Sequence, residues 1–329
     1  MFNHSIIRRA LCIAFILAVF TLGAALAEPV RVAVVQPLTH TSLNQIRDTI
    51  VSELEASNVE FEIVTRNAEG DSAALSTILE NVKSDGVDIL VPIATNTAQS
   101  AKMVFEDTGI PVVFAAVSDP VAAGLTGDDC GFITGVSNNI PAGEIVNLIS
   151  DFQPDYARIG FLYTSSETNS VSTINAAKAF CDANGIAYEE VSIANLSELQ
   201  TAVETLISKG VDALYTGNDN SIASAMSTYI DVAYEYGIPV YCGADSMVAD
   251  GGFATIGVDY VQLGRQVAAI VARVADGEQP EDIPYETLAE YARFVNLQAA
   301  DRIGIEVPDD ILAAYNVLVE ADGTSHFGE

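Results

Sequence analysis

The sequence predicts an α/β fold with two similar lobes, each built on a doubly wound parallel sheet. Apolar strands alternate with helices of roughly 10 to 15 residues, which is the pattern of parallel βαβ units. One such unit, from Gly86 to Pro120, is nearly repeated from Gly210 onward. Both copies place Gly-Val-Asp before an apolar strand, an Asn-containing loop after it, and Gly-Ile-Pro-Val at the next strand. A repeat this long indicates two domains, as does the length of 329 residues.

The first half contains the expected alternation in order. Residues 30–35 form an apolar run typical of a buried strand, and Thr41 or Ser42 can cap the helix that follows to about residue 56. Residues 59–64 alternate as a strand and precede a helix to about residue 84. The repeated unit and a strand at 132–136 complete this half. Pro141 suits the first turn of a helix, so 137–141 is the expected crossing to the second half.

The second half repeats this order. We predict strands at 159–163 and 187–192, helices at about 171–184 and 196–208, and then the second copy of the unit. A strand at 254–258 leads to an amphipathic helix at 263–275, and 277–284 is a linker rich in Gly and Pro. A last strand at 293–297 precedes a predicted helical tail at 299–319, which Pro308 interrupts.

Residues 1–27 have the features of a secretory signal peptide. Arg8 and Arg9 form a positive start, residues 10–22 an apolar run, and Ala25-Leu26-Ala27 a small-residue cleavage site. The apolar run is shorter than the roughly 20 residues that a membrane span needs. We therefore expect cleavage near Ala27 and export of the mature chain to the periplasm. No Cys follows the cleavage site, so a lipid anchor is not expected.

The composition disfavours several classes of partner. The chain carries a net charge of −31, and removal of the two leader arginines makes the mature chain still more acidic. Such a charge argues against nucleic acid or an anionic membrane surface as partner. The remaining cysteines, Cys130, Cys181 and Cys242, are too widely spaced for a disulfide framework, although pairing of two of them stays open. With only His40 and His326 besides, we expect no metal site and no cofactor.

Ligands of parallel α/β sheets bind beyond the carboxyl ends of the strands. If two such edges face each other, they can enclose a small polar molecule between the lobes. The candidate ligand-binding residues all lie in loops at these predicted edges, where each could also cap a helix or form a turn. They are His40, Asn96, Thr97, Ser118, Asp119, Ser165, Ser166, Glu167, Asn169, Asn218, Asp219 and Asp245.

These residue types favour a ligand that carries an amine. Asn96 and Thr97 lie at a helix start, whose free N–H groups suit a carboxylate. Asp219 and Asp245 could pair with an ammonium group, because a buried cation needs a charged or hydrogen-bonded partner. Arg66 is the single basic residue on a predicted edge loop, which makes it a weaker alternative for the carboxylate. The scarcity of loop cations disfavours a phosphate or sulfate ligand.

Two tyrosines at predicted crossing points, Tyr163 and Tyr260, could supply an aromatic wall to the site. The helix-start loops for a carboxylate and the two aspartates for an ammonium together predict an amino acid or a close analogue, and the tyrosines give local support for an aromatic or apolar side chain. A sugar would also find partners among the Asn and Asp side chains, so it stays open as a competing ligand.

A series of short motifs carries a family resemblance. They are SDP at 118–120, TGVS at 134–137, SSETNS at 165–170, GNDN at 217–220, DYVQLG at 259–264 and FVNLQAADRIGIEVP at 294–308. In this order they resemble the substrate-binding proteins of ABC importers of the tryptophan/tyrosine type. The resemblance covers essentially the whole mature chain. It implies a type I periplasmic binding fold, a ligand with an aromatic or apolar side chain, and delivery of that ligand to an ABC permease.

The resemblance also implies that the chain crosses between the lobes three times. The first lobe would comprise 28–139 plus 259–285, the second 140–258 plus 286–322, and a tail 323–329. The helix after Asp259 would return to the first lobe and the strand near Phe294 to the second. Such a protein is expected to be a monomer that closes on its ligand by hinge motion.

An enzyme is the main alternative. The segment PIATNTAQSA at 92–101 also resembles a loop of two-domain amino-acid racemases of the aspartate/glutamate type, which carry a catalytic cysteine there. Thr95 stands in its place, and a threonine hydroxyl is too weak an acid to replace a thiolate base. We therefore expect no catalysis. A binding protein linked to a chemoreceptor would share the fold, whereas the exported amino terminus and the lack of a helix-turn-helix pattern exclude a transcriptional regulator.

Overall fold

The computed structural model of the protein describes residues 28–288 and 291–327. The expected leader at 1–27 lies outside these residues, as do positions 328 and 329 of the expected tail. The described residues form two lobes, each a largely parallel sheet between helices, and the predicted fold class is confirmed. Within the described ranges no helix is long and apolar enough to cross a membrane.

The elements alternate along the chain as βα units. The strands are β1 (Val30–Gln36), β2 (Phe61–Asn67), β3 (Ile89–Pro92), β4 (Val112–Ala115), β5 (Ile133–Ser137), β6 (Arg158–Thr164), β7 (Ala187–Ile193), β8 (Ala213–Thr216), β9 (Val240–Cys242), β10 (Ala254–Gly257), β11 (Glu286–Thr287), β12 (Ala292–Asn296) and β13 (Asn316–Val319). The α-helices are α1 (Thr41–Glu55), α2 (Ser72–Ser84), α3 (Thr95–Phe105), α4 (Ala142–Phe152), α5 (Thr168–Asn184), α6 (Leu199–Ser208), α7 (Asn220–Ala223), α8 (Met226–Glu235), α9 (Asp245–Ala249), α10 (Tyr260–Ala275), α11 (Leu297–Ile303) and α12 (Asp309–Leu312).

The first sheet has six strands in the order β2-β1-β3-β4-β5-β11, all parallel. Its strands β3, β4 and β5 are buried on both faces, as is typical of a parallel sheet between helices. Helix α10 comes from late in the chain but packs against α1 in this lobe. The contact is close at Gly264, where a Cβ atom would lie 2.7 Å from the Cβ of Thr49. A glycine is therefore needed at this helix crossing.

The second sheet has seven strands in the order β7-β6-β8-β9-β10-β12-β13. Strand β12 is antiparallel to β10, and β13 is parallel to β12. The other pairings in this sheet are parallel. An aromatic cluster of Phe152, Tyr241, Phe253 and Tyr315 packs helix α4 onto this sheet.

The repeated Gly-Val-Asp motif has the same structural role in both lobes. Asp88 accepts a hydrogen bond from the backbone N–H of Arg31 at 2.8 Å, at the start of β1. Asp212 accepts from the N–H groups of Ala157 and Arg158, both at 2.8 Å, at the start of β6. Each motif therefore ties the entry of one strand to the entry of its neighbour.

Two short strands were missed by the sequence analysis. Glu286 and Thr287 form β11 and pair with β5 of the first sheet, so the first-lobe segment extends beyond the predicted boundary at 285. Residues 316–319 form β13 beside β12, where we predicted a helix. A stretch of two to four residues shows no periodicity by itself, and pairing with an existing sheet edge decides its conformation.

Candidate ligand-binding site

A cavity lies between the lobes, where the carboxyl ends of the two sheets face each other. About 390 Å³ of space free of protein atoms lies within it and in the open solvent at its mouth. The first lobe and the crossing segments contribute His40, Ser42, Leu43, Ala94, Thr95, Ala116, Ser118, Asn138 and Tyr260. The second lobe contributes Asn169, Asn218, Asp219, Asn220, Ala223, Ala244 and Met247. The cavity is thus polar on some sides and apolar on others.

Several of the predicted site residues meet in this cavity. His40, Ser118, Asn169, Asn218 and Asp219 all line it, although they come from four separate segments of the chain. Tyr260, one of the two tyrosines expected to form an aromatic wall, lines it as well. Its hydroxyl donates to Asn218 Oδ1 at 3.4 Å, which joins α10 to the loop after β8.

Other predicted residues lie outside the cavity, in a groove along the outer edge of the cleft. Asn96, Ser166 and Glu167 line this groove, and Glu167 is nevertheless only 3% exposed. Ser165 is exposed and donates to the carbonyl of Ile193. Thr97 is buried, but it does not line the cavity. Successive helical residues point about 100° apart, so Thr95 of α3 faces the cavity whereas Asn96 and Thr97 do not.

Asp119 and Asp245 are also turned away from the cavity. Asp119 accepts from the backbone N–H of Ala122 at 2.9 Å and from Ser172 Oγ of the other lobe at 2.7 Å. Asp245 is buried and accepts from the N–H of Ser246 at 2.7 Å. Asp119 therefore holds its own loop and joins it to the other lobe, whereas the bond of Asp245 lies within its own segment.

Neither Tyr163 nor Arg66 reaches the cavity. The hydroxyl of Tyr163 lies 3.4 Å from Glu190 on the outer side of the second lobe. Arg66 is exposed and donates to the carbonyl of Thr65. The aromatic wall therefore comes from Tyr260 alone of the two tyrosines predicted for it, and no arginine faces the site among the lining residues.

Three buried polar atoms of the cavity wall have no hydrogen-bond partner. They are Nδ1 of His40, Oγ1 of Thr95 and Oδ1 of Asn169. Thr95 is 1% exposed and Asn169 3% exposed. An unsatisfied buried polar group costs roughly 1–3 kcal/mol. Six further buried side-chain atoms of the described residues lack a partner outside the cavity, on Gln45, Thr97, Ser170, Thr216, Tyr229 and Gln266. The three atoms of the cavity wall differ in sharing one cavity, where a polar ligand can pair with them.

The amino terminus of α3 opens onto the same cavity. Its capping position is Ala94, which offers no side-chain acceptor to the first N–H groups of the helix. Ala94 also has a positive φ of 71°, and Ala116, another lining residue, has a φ of 57°. Alanine rarely adopts such angles, and residues held in them cluster at functional sites.

The amino terminus of α7, by contrast, is already occupied. Asp219 accepts from the N–H of Ile222 at 2.9 Å and from both the N–H and the hydroxyl of Thr164, at 2.6 and 2.9 Å. Glu167 accepts from the N–H groups of Asn220 and Ser221. Protein carboxylates therefore already fill this helix start, whereas the start of α3 has no side-chain cap.

Burial shifts the protonation of the acidic and basic groups here. Desolvation, and then the charge of Glu167, raise the pKa of Asp219 to about 7. Desolvation also raises the pKa of Asp245 to about 6, with a further contribution from Asp259. Desolvation lowers the pKa of His40, against the opposing effects of Asn220 and Glu167, so this imidazole is neutral near pH 7. The cavity is therefore rich in acceptors and holds no cation of its own among its lining residues.

The lobes are closed on each other. Ser42 Oγ and Ser246 Oγ lie 2.5 Å apart across the cleft, and His40 Nε2 lies 3.2 Å from Asn220 Oδ1. Two outer contacts, from Thr168 to Gln99 at 3.2 Å and from Ser172 to Asp119, also join the lobes. Hydrogen bonds between side chains thus span the cleft both at the cavity and beyond it.

Sequence reasoning missed some of the lining residues. Thr95 and Asn220 lie in the predicted edge loops, but a loop sequence does not reveal which side chain turns inward. Asn138 directly follows β5, and this position at the carboxyl edge was an available signal. Ser42 was predicted only as a helix cap. An enzyme of the racemase type would need catalytic cysteines in its site. The three cysteines of the described residues are free and buried, and they do not line the cavity.

Comparison with known proteins identifies relatives of the whole folded chain. The family model described as "ABC transporter substrate binding protein" matches residues 31–318. A tyrosine-binding protein of Clostridioides difficile is 29% identical over 273 residues, which cover 81% of this chain and 78% of that protein. The solved structure of an ABC domain from Streptococcus pneumonia in complex with L-Trp is 30% identical, with a TM-score of 0.83, and the match covers 88% of this chain and 99% of that one.

A second solved structure is described as open. The ligand-free, open structure of a substrate-binding protein with adhesive properties from Clostridium difficile is 29% identical and covers 87% of this chain and 98% of that one, but its TM-score is 0.66. At nearly equal identity, the complex with L-Trp therefore has the higher TM-score of these two structures. The family model, the relatives and the two-lobed fold agree, and the chain belongs to the ABC transporter substrate-binding protein family.

Proposed function

We propose that this protein is the solute-binding component of an ABC importer that captures a free amino acid between its lobes and delivers it to the membrane permease. The observation that carries the proposal is the closed cavity whose wall contains three buried polar atoms without a partner, on His40, Thr95 and Asn169. A zwitterionic ligand supplies what these atoms lack, because it has both strong donors and strong acceptors.

The ligand carboxylate is assigned to the amino terminus of α3. This helix start has no capping side chain, and its N–H groups and dipole favour an anion. The hydroxyl of Thr95, the first residue of the helix, is unpartnered and can donate to the same carboxylate. No arginine or lysine lines the cavity, so these groups are the strongest donors available among the lining residues.

The ligand ammonium is assigned to the acceptors on the opposite side of the cavity. Asn169 Oδ1 is an unpartnered acceptor, and Asp219 is a carboxylate with 0% exposure. A buried carboxylate without a cation is costly, and an ammonium group would compensate its charge. Asp245, which we first paired with the ammonium as well, does not line the cavity and is left out of this assignment.

The ligand side chain is assigned to the apolar wall of Leu43, Met247 and Tyr260. This wall favours an aromatic or aliphatic amino acid over a sugar, whose hydroxyl groups would find no partner there. The names of two relatives, one tyrosine-binding and one solved with L-Trp, support the same class of ligand. The signal-peptide pattern of residues 1–27 supports a periplasmic protein with cleavage near Ala27. The proposal also includes a monomer that binds without catalysis, as the family resemblance implies.

Calorimetric titration of the mature protein tests this function. We expect an aromatic or aliphatic L-amino acid to bind, and its des-amino analogue and its carboxamide each to bind at least roughly tenfold more weakly. Binding of sugars alone, or equal binding of the amino acid and its two analogues, would contradict the assignment. Loss of uptake of the same amino acid in cells lacking the protein would distinguish an importer from a chemoreceptor-linked protein. Racemisation of the bound amino acid would overturn the non-catalytic role.

A further inference from the structure

Glu167 is a buried carboxylate that lies behind the cavity wall and outside the cavity itself. Its Oε1 accepts from the backbone N–H and the hydroxyl of Ser221, at 2.8 and 2.7 Å. Its Oε2 accepts from the backbone N–H and the side-chain amide of Asn220, at 3.0 and 2.7 Å, and from the amide of Asn169 at 3.3 Å. Two asparagines of the cavity wall therefore turn their NH₂ groups toward one carboxylate.

The orientation of the Asn220 amide determines which ring nitrogen of His40 carries the proton. Because the amide nitrogen of Asn220 donates to Glu167, its Oδ1 points the other way and lies 3.2 Å from His40 Nε2, across the cleft. An amide oxygen only accepts, so Nε2 must carry the proton. A neutral imidazole has a single N–H group, which leaves Nδ1 as an acceptor. This Nδ1 is one of the unpartnered atoms of the cavity wall.

The orientation of Asn169 follows from the same carboxylate. Its amide nitrogen donates to Glu167 Oε2 and to the carbonyl oxygen of Asn218, the latter at 2.5 Å. A flipped amide would place its oxygen against these two acceptors, so the flipped form is disfavoured. The oxygen that remains, Oδ1, is buried without a partner at the cavity.

We propose that Glu167 is a specificity-determining positioning residue, which makes both His40 Nδ1 and Asn169 Oδ1 acceptors and thereby selects a ligand with a strong donor group. This inference rests on the proposed function, because the donor group in question is the ammonium of the amino acid. Glu167 belongs to the second lobe and His40 to the first, so the acceptor set is complete only when the lobes are closed.

Glu167 acts by accepting hydrogen bonds that orient the two asparagine amides, and not by attracting the ligand ammonium directly. Glu167 does not line the cavity, and the amides of Asn169 and Asn220 take its hydrogen bonds. A glutamine at this position could keep its one amide oxygen toward these two amides. Its NH₂ group would then face Ser221, whose hydroxyl can rotate and accept, while the backbone N–H of Ser221 would lose its acceptor at a cost in stability. The orientation of the two asparagine amides would be kept in this variant, although the negative charge would be lost.

Three variants separate these possibilities. Glu167→Ala removes the acceptor, Glu167→Gln keeps an oxygen without the charge, and Ser221→Ala removes one donor to the same carboxylate without touching its bonds to the two asparagines. For each, the dissociation constants of an L-amino acid and its des-amino analogue are measured calorimetrically, and their ratio gives the preference for the amine. Thermal unfolding of each variant controls for folding.

We expect the amine preference to fall roughly tenfold or more in Glu167→Ala and to change less than about threefold in the other two variants. Nitrogen NMR of His40 in the ligand-loaded parent should show Nδ1 unprotonated. An unchanged amine preference in Glu167→Ala would overturn the inference. If Glu167→Gln lost as much amine preference as Glu167→Ala, the negative charge of Glu167 would be the cause, and not the orientation of the amides. If the parent binds no amino acid, the proposed function fails and the inference falls with it. If the parent prefers the amine and Glu167→Ala does too, the inference alone fails.

Discussion

Asp219 and Asp245 follow neighbouring strands of the second sheet, yet their surroundings differ. Asp219 lines the cavity at 0% exposure, whereas Asp245 is buried beside it without lining it. Loss of one buried charge partner typically costs about 3–5 kcal/mol, which is roughly a hundredfold or more in affinity. We expect Asp219→Asn to weaken amino-acid binding by this amount and Asp245→Asn to change it little. Calorimetric titration of the two matched variants checks this, and equal effects would remove Asp219 from the site.

The raised pKa of Asp219, about 7, predicts that ligand binding is linked to proton release. The folded state binds this proton more tightly than the unfolded chain, so the group stabilises the fold most at low pH and this contribution is lost as pH rises through about 7. An ammonium ligand favours the ionised form instead. Affinity should therefore rise between about pH 5 and 7 and then level off.

Titrations in buffers of different ionisation heat measure the protons released. At pH 6 the parent protein should release part of a proton for each ligand bound, and Asp219→Asn should release fewer. Proton uptake on binding, or a release that Asp219→Asn leaves unchanged, would contradict the linkage.

Thr95 and Thr97 form a second matched pair. Both hydroxyls are buried without a partner, but only that of Thr95 lines the cavity. Valine has nearly the same shape, so either substitution removes an unsatisfied hydroxyl and should stabilise the ligand-free protein by about 1 kcal/mol or more. Thr95→Val should also weaken ligand binding roughly tenfold, because a donor to the carboxylate is lost. Thr97→Val should leave affinity unchanged, and a similar loss in both variants would show that the helix start is disturbed as a whole.

At the scale of elements, the repeated Gly-Val-Asp motif serves strand pairing. The carboxylate of Asp212 holds two backbone N–H groups at the start of β6, and that of Asp88 holds one at the start of β1. The ligand-side loops lie at the opposite ends of these strands. In each unit, therefore, the end with the aspartate contributes to stability and the opposite end carries the loop on the ligand side.

Substitution of these two aspartates should reduce stability without changing ligand affinity. We expect Asp212→Ala to cost about 1–3 kcal/mol, because it leaves two N–H groups without their acceptor, and Asp88→Ala to cost about 1 kcal/mol. Urea unfolding measures both, with Asp107→Ala, an exposed surface change, as the control within about 0.5 kcal/mol. A larger loss for Asp88→Ala than for Asp212→Ala would argue against this count of hydrogen bonds.

For the whole molecule, the closed cleft is held by a few hydrogen bonds between side chains. Those at His40 and Ser42 lie at the cavity, and those at Gln99 and Asp119 lie farther out. Each contributes only about 1 kcal/mol net, while three cavity atoms remain unsatisfied. A ligand that pairs these atoms should therefore decide the balance between open and closed lobes.

Small-angle scattering tests this expectation. The radius of gyration of the mature protein should fall when a saturating amino acid is added, since the lobes close by hinge motion. Ser42→Ala, which removes a contact to Ser246 across the cleft, should favour the open form of the free protein and leave the loaded form compact. An unchanged radius with a ligand that binds by calorimetry would argue against hinge closure.

Much of the fold could be predicted from the sequence because its elements are locally encoded. The strands from β1 to β10 and the longer helices have clear periodicity, and the two Gly-Val-Asp units mark the lobes. Strands β11 and β13 could not be predicted, because edges of existing sheets recruit them. For the site, the edge loops and several of the inward residues were predicted, but not which side chain of each loop turns inward: Thr95 faces the cavity, whereas Asn96 and Thr97 do not.

The sequence by itself determined the fold class, the acidic surface and the set of loops in which a ligand site must lie. These properties depend on periodicity, composition and the direction of parallel strands, which are local or additive. Only the tertiary structure decided that Glu167 turns two asparagines, that Asp219 lines the cavity and Asp245 does not, and that His40 offers an acceptor. Each of these depends on contacts between residues far apart in the chain. Such contacts exist only after both sheets have formed and the lobes have met.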